Sequence, residues 1–270
     1  MSRRRVHWAP IWLGLILLFL YAPLARVGVN SVNTNEVGTS FDGFTLDWYQ
    51  AAWNDVTVRD SLQVSILLAV IAAAFSTSIA LGVVIGTQAG PPRLRSIARA
   101  LTAGRVLLPE VVIAAGIAIM LPLFGIRLGL LALVIGHVVF QTAFAIVLIQ
   151  SRAAGRDPRL EDAAADLGAS RLRVLRTVVI PDLAPGIWAA ALLTFLFSFD
   201  DVVLSRLLSS PDTPTLPVTV LSLINRRISP EIDAIGTVVM GVGLVAFVCA
   251  ALIGRGSLAI ALSGARRDVR

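Results

Sequence analysis

Two adjacent carboxylates, Asp200 and Asp201, lie near the end of a long apolar run. Asp201 also belongs to a set of polar residues separated by four, three and four positions, a spacing that places them on one face of a helix. The set is Thr194, Ser198, Asp201 and Ser205. Charges within a membrane helix are costly and usually face a cavity or a partner. The stripe therefore predicts a water-filled path that attracts cations, with Asp201 facing it and Asp200 rotated about 100° away.

These acids and two further residues each have a second interpretation. One Asp could instead pair with a nearby base such as Arg206, or the helix could end earlier and leave both acids in water. Glu110 is either an acid at the inner mouth of the path or a first-turn carboxylate favoured by the helix dipole. Trp48 lies among aromatics and carboxylates in residues 31–60, a mixture that suits organic cations. Anchoring at the membrane interface explains those aromatics equally well.

A charged stretch between two apolar runs, residues 151–185, carries the other candidate residues. It predicts a short alanine-rich helix with Glu161 and Asp162 in its first turn, where the helix dipole favours acids. Gly168 then permits a sharp turn, and a second helix bearing arginines follows. Pro181 and Pro185 are expected to break the chain before the next apolar run. Such a helix-turn-helix is suited to docking on a soluble partner, and a solvated loop is the alternative.

Several kinds of chemistry are excluded or disfavoured by residue types alone. All 23 basic residues are arginine, so the chain has no P-loop lysine and no site for lysine Schiff-base chemistry. Its single cysteine, Cys249, cannot form an intrachain disulfide and is expected in the apolar core. Two histidines are too few for a usual histidine metal site. His137 and Gln141, four positions apart, are predicted to hydrogen-bond between helices.

The composition requires a membrane environment for the elements that position these residues. Hydrophobic residues make up 56% of the chain, charged residues 15%, and the mean hydropathy is +0.82. Soluble domains carry about 25% charged residues, so a water-soluble enzyme is disfavoured. A spanning helix needs roughly 20 mostly apolar residues. Six segments approach that length: 10–29, 62–86, 106–124, 128–150, 186–207 and 234–254.

The distribution of arginine predicts how these segments are oriented. Seventeen arginines fall in one set of segments: the N-terminus, the 87–105 and 151–185 loops and the C-terminal tail. Six fall on the opposite side or at helix ends. Because cytoplasmic loops are enriched in Lys and Arg, both termini are predicted to be cytoplasmic. The same rule explains the net charge of +6 without nucleic acid. Residues 3–21 also look like a signal peptide, but no A-x-A cleavage site follows them.

The 151–185 stretch resembles the "EAA" loop of binding-protein-dependent ABC importer permeases. The family pattern is E-A-A, three residues, G, nine residues, then I-x-L-P. Here Asp162-Ala163-Ala164 is followed after three residues by Gly168, and nine more lead to Val178-Val179-Ile180-Pro181. Asp162, Val178 and Ile180 replace the family's Glu, Ile and Leu. The resemblance implies that this loop is the coupling helix that sits in a groove of the ATPase subunit.

Further runs are similar to the second permease subunit of spermidine/putrescine importers. They are Phe41–Tyr49, Leu108–Val112, Phe197–Ser205, Thr215–Pro217 and Ser229–Ala234. The resemblance covers nearly the whole chain, and the Asp pair is what narrows it to polyamines. It implies a permease subunit that forms half of a path for spermidine or putrescine. Another cationic amine, an opine-like compound or an iron chelate is the alternative substrate within the same class.

The resemblance also implies an architecture and a set of partners. The expected fold is all-α, with six transmembrane helices in the type I importer permease (MetI-like) arrangement. Residues 1–58 would hold the N-terminal tail, first helix and extracytoplasmic segment, residues 59–256 a five-helix core, and residues 257–270 a cytoplasmic tail. The implied partners are an ATP-binding subunit dimer, a second permease, an extracytoplasmic polyamine-binding protein and membrane lipid. The chain itself would hold no cofactor, since ATP and Mg would bind to the ATPase subunits.

Each candidate residue then has an expected role in a bacterial inner-membrane protein that is not an enzyme. The residues expected to line the substrate path are Asp201, Asp200, Ser198, Ser205, Thr194, Glu110 and Trp48. The residues expected to couple to the ATPase are Glu161, Asp162, Ala163, Ala164, Gly168 and Pro181. A secondary transporter or channel would instead show inverted repeats with broken helices, which are not evident in the sequence. A hydrolase using Ser and His137 would need a G-x-S-x-G turn, which the sequence lacks.

Overall fold

The computed structural model describes residues 8–36, 38–157, 159–226 and 229–265, and throughout these ranges the regular elements are helices. An isolated bridge between Asn33 and Phe44 is the single β contact in the described chain. The all-helical prediction is confirmed for this part of the chain. The helices are α1 (Trp8–Asn30), α2 (Asp47–Asn54), α3 (Val56–Ala89), α4 (Pro92–Leu107), α5 (Glu110–Leu123), α6 (Leu130–Ala154), α7 (Arg159–Asp166), α8 (Arg171–Val174), α9 (Ile180–Phe199), α10 (Val203–Leu208), α11 (Leu216–Ile224) and α12 (Pro230–Ala265).

Four helical stretches in the described chain are long and apolar enough to cross a membrane. They are Pro10–Asn30, Val56–Gln88, Leu130–Ala154 and Arg171–Phe199. The predicted third span corresponds to α5, which has 14 residues. At 1.5 Å per residue α5 is about 21 Å long, shorter than a hydrocarbon core of about 30 Å. Helix α12 contains the sixth predicted segment. The count of six spans remains a prediction.

The helix before the fifth predicted span is continuous, and the expected break at Pro181 and Pro185 is wrong. Helix α8 runs into a π-helical turn, Leu175–Val179, and the turn runs directly into α9. A proline inside an α-helix lacks an N–H and its ring clashes with the carbonyl four residues earlier. The wider π turn just before Pro181 gives the ring room, so that one helix extends from Arg171 to Phe199.

Contacts divide the chain into two compact units, each with its own packing. The smaller unit comprises described residues within Met1–Arg59 and Thr219–Val242, and in it the Asn30 amide donates to Asp233 at 3.2 Å. The larger unit comprises described residues within Asp60–Val218 and Gly243–Arg270. Cys249 is exposed, so the expectation that it lies in the core is wrong.

Two apolar clusters form the core of the larger unit. One joins the second halves of α3 and α6 to α8 and α9 and includes Val84, Ile149, Val174 and Leu183. The other joins α5, α6 and α10 to the middle of α3, at the opposite end of α6. Small residues allow close approach: a Cβ at Gly136 on α6 would collide with the Leu208 side chain on α10. Helix α6 therefore supports both the 151–185 loop at one end and the Asp pair at the other.

Candidate functional sites

The predicted helix-turn-helix is present, and we call residues 159–174 the coupling hairpin. Gly168 has a φ of +81°, as its glycine predicts. The Gly168 N–H donates to the carbonyl of Ala165 at 2.9 Å, and the Ala169 N–H donates to Ala164 at 3.1 Å. This pair of bonds is a Schellman motif, which caps the carbonyl end of α7. The turn is therefore specified by local backbone bonds and a left-handed glycine.

The coupling hairpin presents a surface with little support from the rest of the chain. Helix α7, described over its whole length, buries none of its residues. Asp162, Ala163 and Gly168 are exposed, while Ala164 is half-buried and packs against the first apolar cluster. Pro181, also predicted here, is exposed on α9. No heavy atom of a described residue lies within 4 Å of a Cβ built at Gly168, so the constraint on this residue within the chain is its backbone conformation.

Exposed leucines on the hairpin were not predicted from the sequence. Leu167 is 89% exposed, and Leu160 and Leu172 are 54% and 55% exposed. A contiguous exposed apolar patch is typical of a protein-interaction surface, and these three leucines lie on one short hairpin. The signal was available: Leu167 directly precedes the capping Gly168, and nothing else in the hairpin is spaced to bury it.

Glu161 differs from its exposed neighbours because it points back to the chain. Its carboxylate lies 3.0 Å from Nη1 of Arg156, whose side chain is 5% exposed. Arg156 Nε also donates to Asp182 at 2.8 Å. Arg152 Nη2 donates to the other Asp182 oxygen at 2.9 Å, and Arg152 Nε to the Asp182 carbonyl at 3.1 Å. Glu161 thus has a partner within the chain, in addition to its predicted coupling role.

The Asp pair lies at a helix end, so the prediction of one continuous helix through residues 186–207 is wrong. Helix α9 ends at Phe199, and α10 begins at Val203. The Asp201 carboxylate accepts the backbone N–H of Ser205 at 2.7 Å and so stabilises the start of α10. Asp200 is exposed, whereas the Asp201 side chain is 7% exposed. Asp201 was placed on the path by its position on one face of a continuous helix. Because residues 200–202 lie between two helices, that argument does not apply.

A buried polar cluster joins α6 to this helix end. Its members are His137, Gln141, Thr194, Ser198, Asp201 and Ser205. His137 Nδ1 lies 2.9 Å from the Ser198 hydroxyl, and Nε2 lies 3.5 Å from the Ser205 hydroxyl and 3.6 Å from the Asp201 carboxylate. His137, Ser198 and Ser205 are all buried. The predicted hydrogen bonding between helices by His137 and Gln141 is confirmed.

Gln141 directs its amide at two backbone groups of α9. With the amide nitrogen towards Thr194, it donates to the Thr194 carbonyl, and its oxygen accepts the Ser198 N–H at 3.0 Å. These two backbone groups are four residues apart and would pair with each other in a regular helix. The Thr194 hydroxyl donates to the Ala190 carbonyl at 2.8 Å. The polar stripe therefore faces α6, and the place of Thr194, Ser198 and Ser205 on a substrate path remains a prediction.

Glu110 and Trp48 belong to other helices, α5 and α2. Glu110 is the first residue of α5 and is half-buried. The Trp48 indole N–H donates to the Asn33 carbonyl at 2.7 Å, which secures the 31–46 turn to α2. Nearby, hydrogen bonds from Ser40 and Asn35 hold the pKa of the Asp42 carboxyl below its usual value. The substrate roles of Glu110 and Trp48 remain predictions.

Two further features of the described chain bear on ligands. Within these ranges, no three His, Cys, Asp or Glu residues are arranged to hold a metal ion. A cavity of about 240 Å³ lies between α3, α4 and α6, where Thr87, Arg95, Arg99 and Gln150 are among its lining residues. None of the predicted path residues lines this cavity.

Comparison with known proteins relates these features to a family. Residues 78–258 match the family described as binding-protein-dependent transport system inner membrane component. The chain is 32% identical over 240 residues to the spermidine/putrescine transport system permease protein PotC of Escherichia coli K12, covering 89% of this chain and 91% of PotC. It is 31% identical over 268 residues to the putrescine transport system permease protein PotI of the same strain, covering 93% and 92%.

The fold is similar to that of a solved bacterial ABC transporter involved in import of the acidic polysaccharide alginate. The TM-score is 0.69, with 93% of this chain and 97% of that chain covered. The sequence identity is 17%, so this likeness concerns the fold alone.

Proposed function

The chain belongs to the family of binding-protein-dependent transport system inner membrane components, and from that premise we propose that it forms half of a polyamine path in an ATP-driven importer. The observation that carries the substrate is the 32% identity to a spermidine/putrescine permease over 89% of the chain. Proteins of this family are membrane components of ABC importers and work with separate ATPase subunits and a binding protein. The present chain is accordingly an inner-membrane permease subunit.

The coupling hairpin is the proposed contact with the ATPase dimer. Three observations support this role: α7 is unburied, Leu167 is almost fully exposed, and Gly168 fixes a rigid turn at the tip. A preformed surface of this kind binds without first ordering a loop, which lowers the cost of association. Asp162 and Ala163, exposed on the same hairpin, supply polar and small contacts. Displacement of this hairpin by the ATPase would carry the energy of ATP into the membrane part of the chain.

Asp200 is the acid that we propose faces the path, and Asp201 holds the turn beside it. Asp200 is exposed next to the end of a membrane helix, where a carboxylate offsets part of the hydration that an organic cation loses. Asp201 instead accepts the Ser205 N–H and adjoins His137. The path itself would form against a second permease subunit.

The deciding experiment uses the whole transporter in proteoliposomes, with the ATPase dimer, the second permease and the binding protein. We expect putrescine or spermidine, with binding protein, to stimulate ATP hydrolysis and to accumulate inside the compartment that corresponds to the cytoplasm. Agmatine, an opine and an iron chelate serve as comparison solutes. If only one of these solutes stimulated ATP hydrolysis, the importer assignment would stand and the polyamine assignment would be wrong. Uptake without ATP would contradict the importer mechanism.

We also propose that both termini are cytoplasmic and that residues 31–60 are extracytoplasmic. In that layout residues 1–58 and 257–270 flank a five-helix core, 59–256. Cysteines introduced at Ser40 and Ser96, in a Cys249→Ser background because Cys249 is exposed, test it. An impermeant thiol reagent added to spheroplasts should label the first and spare the second. Labelling at Ser96 with protection at Ser40 would reverse the topology.

A further inference from the structure

Four charged residues at the base of the coupling hairpin form a connected ion-pair cluster: Arg152, Arg156, Glu161 and Asp182. Asp182, on the first turn of α9, accepts Arg152 on one carboxylate oxygen and Arg156 on the other, at 2.9 and 2.8 Å. Arg156 reaches past Asp182 to Glu161 on α7, at 3.0 Å. Two arginines face two acids, so the cluster is electrically balanced. It connects α6, α7 and α9, the three elements that meet behind the hairpin.

Burial distinguishes Arg156 from an ordinary surface arginine. Its side chain is 5% exposed, although it follows the C-terminus of α6 in a loop region. Its Nη2 is buried without a partner in the described chain. Arginine is suited to this position because its planar guanidinium has five donors and can hold two carboxylates at once. The guanidinium is therefore fixed between Glu161 and Asp182.

Close backbone packing fixes the other arginine. A Cβ at Gly186 on α9 would lie 2.8 Å from the Arg152 Cβ, so this glycine lets the arginine stem cross α9 directly. Helices α6 and α9 are also joined through Ile149, Ala153 and Leu183 in the first apolar cluster. The attachment of α9 to α6 thus does not depend on Glu161.

Helix α7 depends on the cluster far more than α9 does. It buries no residue, and Ala164 is its half-buried contact with the apolar core. Among its acids, Glu161 is the one that forms an ion pair within the described ranges. The Glu161–Arg156–Asp182 chain therefore connects the hairpin to the helix that leads to the Asp pair, without passing through the turn at Gly168.

We propose that Arg156 and Glu161 are positioning residues that transmit displacement of α7 to α9, so that ATP hydrolysis is coupled to transport. This inference rests on the proposed ATPase contact of the hairpin and adds the connection behind it. When the ATPase moves α7, the Glu161 carboxylate displaces the Arg156 guanidinium, and Asp182 moves with it. Without the ion pair, the hairpin can still bind the ATPase, but the movement of α7 is transmitted less fully to α9.

The test compares isosteric and charge-conserving variants in the whole reconstituted transporter. Glu161→Gln keeps the size of the side chain and removes its charge, whereas Glu161→Asp keeps the charge. We expect Glu161→Gln to lower the amount of substrate taken up per ATP hydrolysed by at least about threefold. Glu161→Asp should restore much of that ratio. A merely steric role would give the reverse order of the two variants.

Asp166→Asn is the matched control, because Asp166 is an exposed acid on α7 that forms no ion pair within the described chain. It should leave uptake per ATP unchanged. If the unmutated transporter shows neither polyamine uptake nor stimulation of its ATPase activity by the binding protein, the proposed function itself is wrong. If the unmutated complex is active and Glu161→Gln has the same uptake per ATP, the positioning role is wrong. Loss of ATPase binding in Glu161→Gln would also overturn it and would make Glu161 a direct contact.

Discussion

The coupling hairpin and the buried polar cluster are both rich in polar groups, but they use those groups in opposite ways. On the hairpin, Asp162 and Leu167 are exposed, and the turn is held by its own backbone hydrogen bonds. In the polar cluster, His137 and Ser198 are almost fully buried and each has a partner on another helix. One region presents its side chains to the outside of the chain, and the other pairs them with a neighbouring helix.

The difference explains why a polar stripe on a membrane helix is weak evidence for a path. In an apolar environment a hydroxyl or imidazole must find a partner, and a neighbouring helix supplies one as well as a water-filled cavity does. An exposed apolar side chain on a charged loop, by contrast, has no neighbouring helix within the chain that accounts for it. Mutations in the two regions should therefore separate stability from transport, and the following variants are ordered by the size of their expected effects.

The largest effect is expected on stability, from His137→Leu. The change leaves the Ser198 hydroxyl and the Asp201 carboxylate without their imidazole partner, which costs about 1–3 kcal/mol for a buried unpaired group. The melting temperature in detergent should fall measurably. Gln141→Leu should cost less, because the Ser198 N–H and the Thr194 carbonyl can then bond to each other.

Gln150→Leu is the control for this pair, since Gln150 is exposed on the same helix. Its melting temperature should match that of the unmutated protein. A His137→Leu protein that is equally stable would show that the cluster contributes nothing to folding, and the contrast between the two regions would fail.

The next effect is expected on transport, from Gly168→Val. A left-handed backbone costs a residue with a side chain about 1–2 kcal/mol, which corresponds to roughly 5–30-fold in an equilibrium. Uptake should fall by a factor in that range while the subunit still inserts. Gly155→Ala is the matched glycine control, because Gly155 has a φ of −92° in the same loop.

Gly168→Asn distinguishes backbone conformation from bulk. Asparagine tolerates the left-handed region better than other side chains. If conformation is what matters, Gly168→Asn should transport better than Gly168→Val. Equal loss in both variants would indicate that a partner subunit contacts the glycine surface, and normal uptake by Gly168→Val would remove the turn from the mechanism.

A smaller effect is expected from the Asp pair, and it should divide between the two acids. Asp200→Asn should lower polyamine uptake by about threefold, because an exposed carboxylate attracts cations through water with modest energy. Its melting temperature should stay unchanged. Asp201→Asn should mainly lower the melting temperature, since its carboxylate accepts the Ser205 N–H. If Asp201→Asn lowered uptake and Asp200→Asn lowered the melting temperature, Asp201 would be the acid that faces the path.

The smallest effect is expected from Leu167→Ser at the hairpin tip. Because Leu167 is 89% exposed, the melting temperature of the subunit should not change. Affinity for the purified ATPase subunit should fall by about twofold, as for one peripheral apolar contact. Asp60→Asn, an exposed change outside the hairpin, should leave that affinity unaltered. A loss of stability in Leu167→Ser would contradict the description of the tip as a free surface.

Local features of the sequence were predictable, and long-range ones were not. Gly168 and its helix-turn-helix follow from glycine conformation and spacing, and the structure has both. The His137–Gln141 spacing indicated a polar contact but not its partner on α9. The earlier helix end, at Phe199, was only the alternative interpretation, although Asp201 precedes α10 and accepts a backbone N–H of its first turn. The helix continues through Pro181 because of a π turn, and no residue pattern in the sequence predicts that turn.

The ion pairs of Arg156 illustrate why the remainder was out of reach. Asp182 is 26 positions away from Arg156 in the chain, and Glu161 is five away. Neither separation is a helical repeat: the packing of α6 against α9 brings Asp182 to Arg156, and the position of α7 brings Glu161 to it. In the sequence these charges are indistinguishable from those of a solvated loop, which was the alternative interpretation of residues 151–185.

The unbroken helix from Arg171 to Phe199 makes the chain a lever. Its 29 residues extend about 43 Å, with the hairpin at one end and the Asp pair at the other. Pivoting such a rod about one end by about 10° would move its far end by about 7.5 Å. The π turn at Leu175–Val179 lies near the hairpin end of this helix. Bending at the turn would therefore reduce the displacement that reaches the Asp pair. The stiffness of this turn would then determine how much of a displacement of the hairpin reaches the Asp pair.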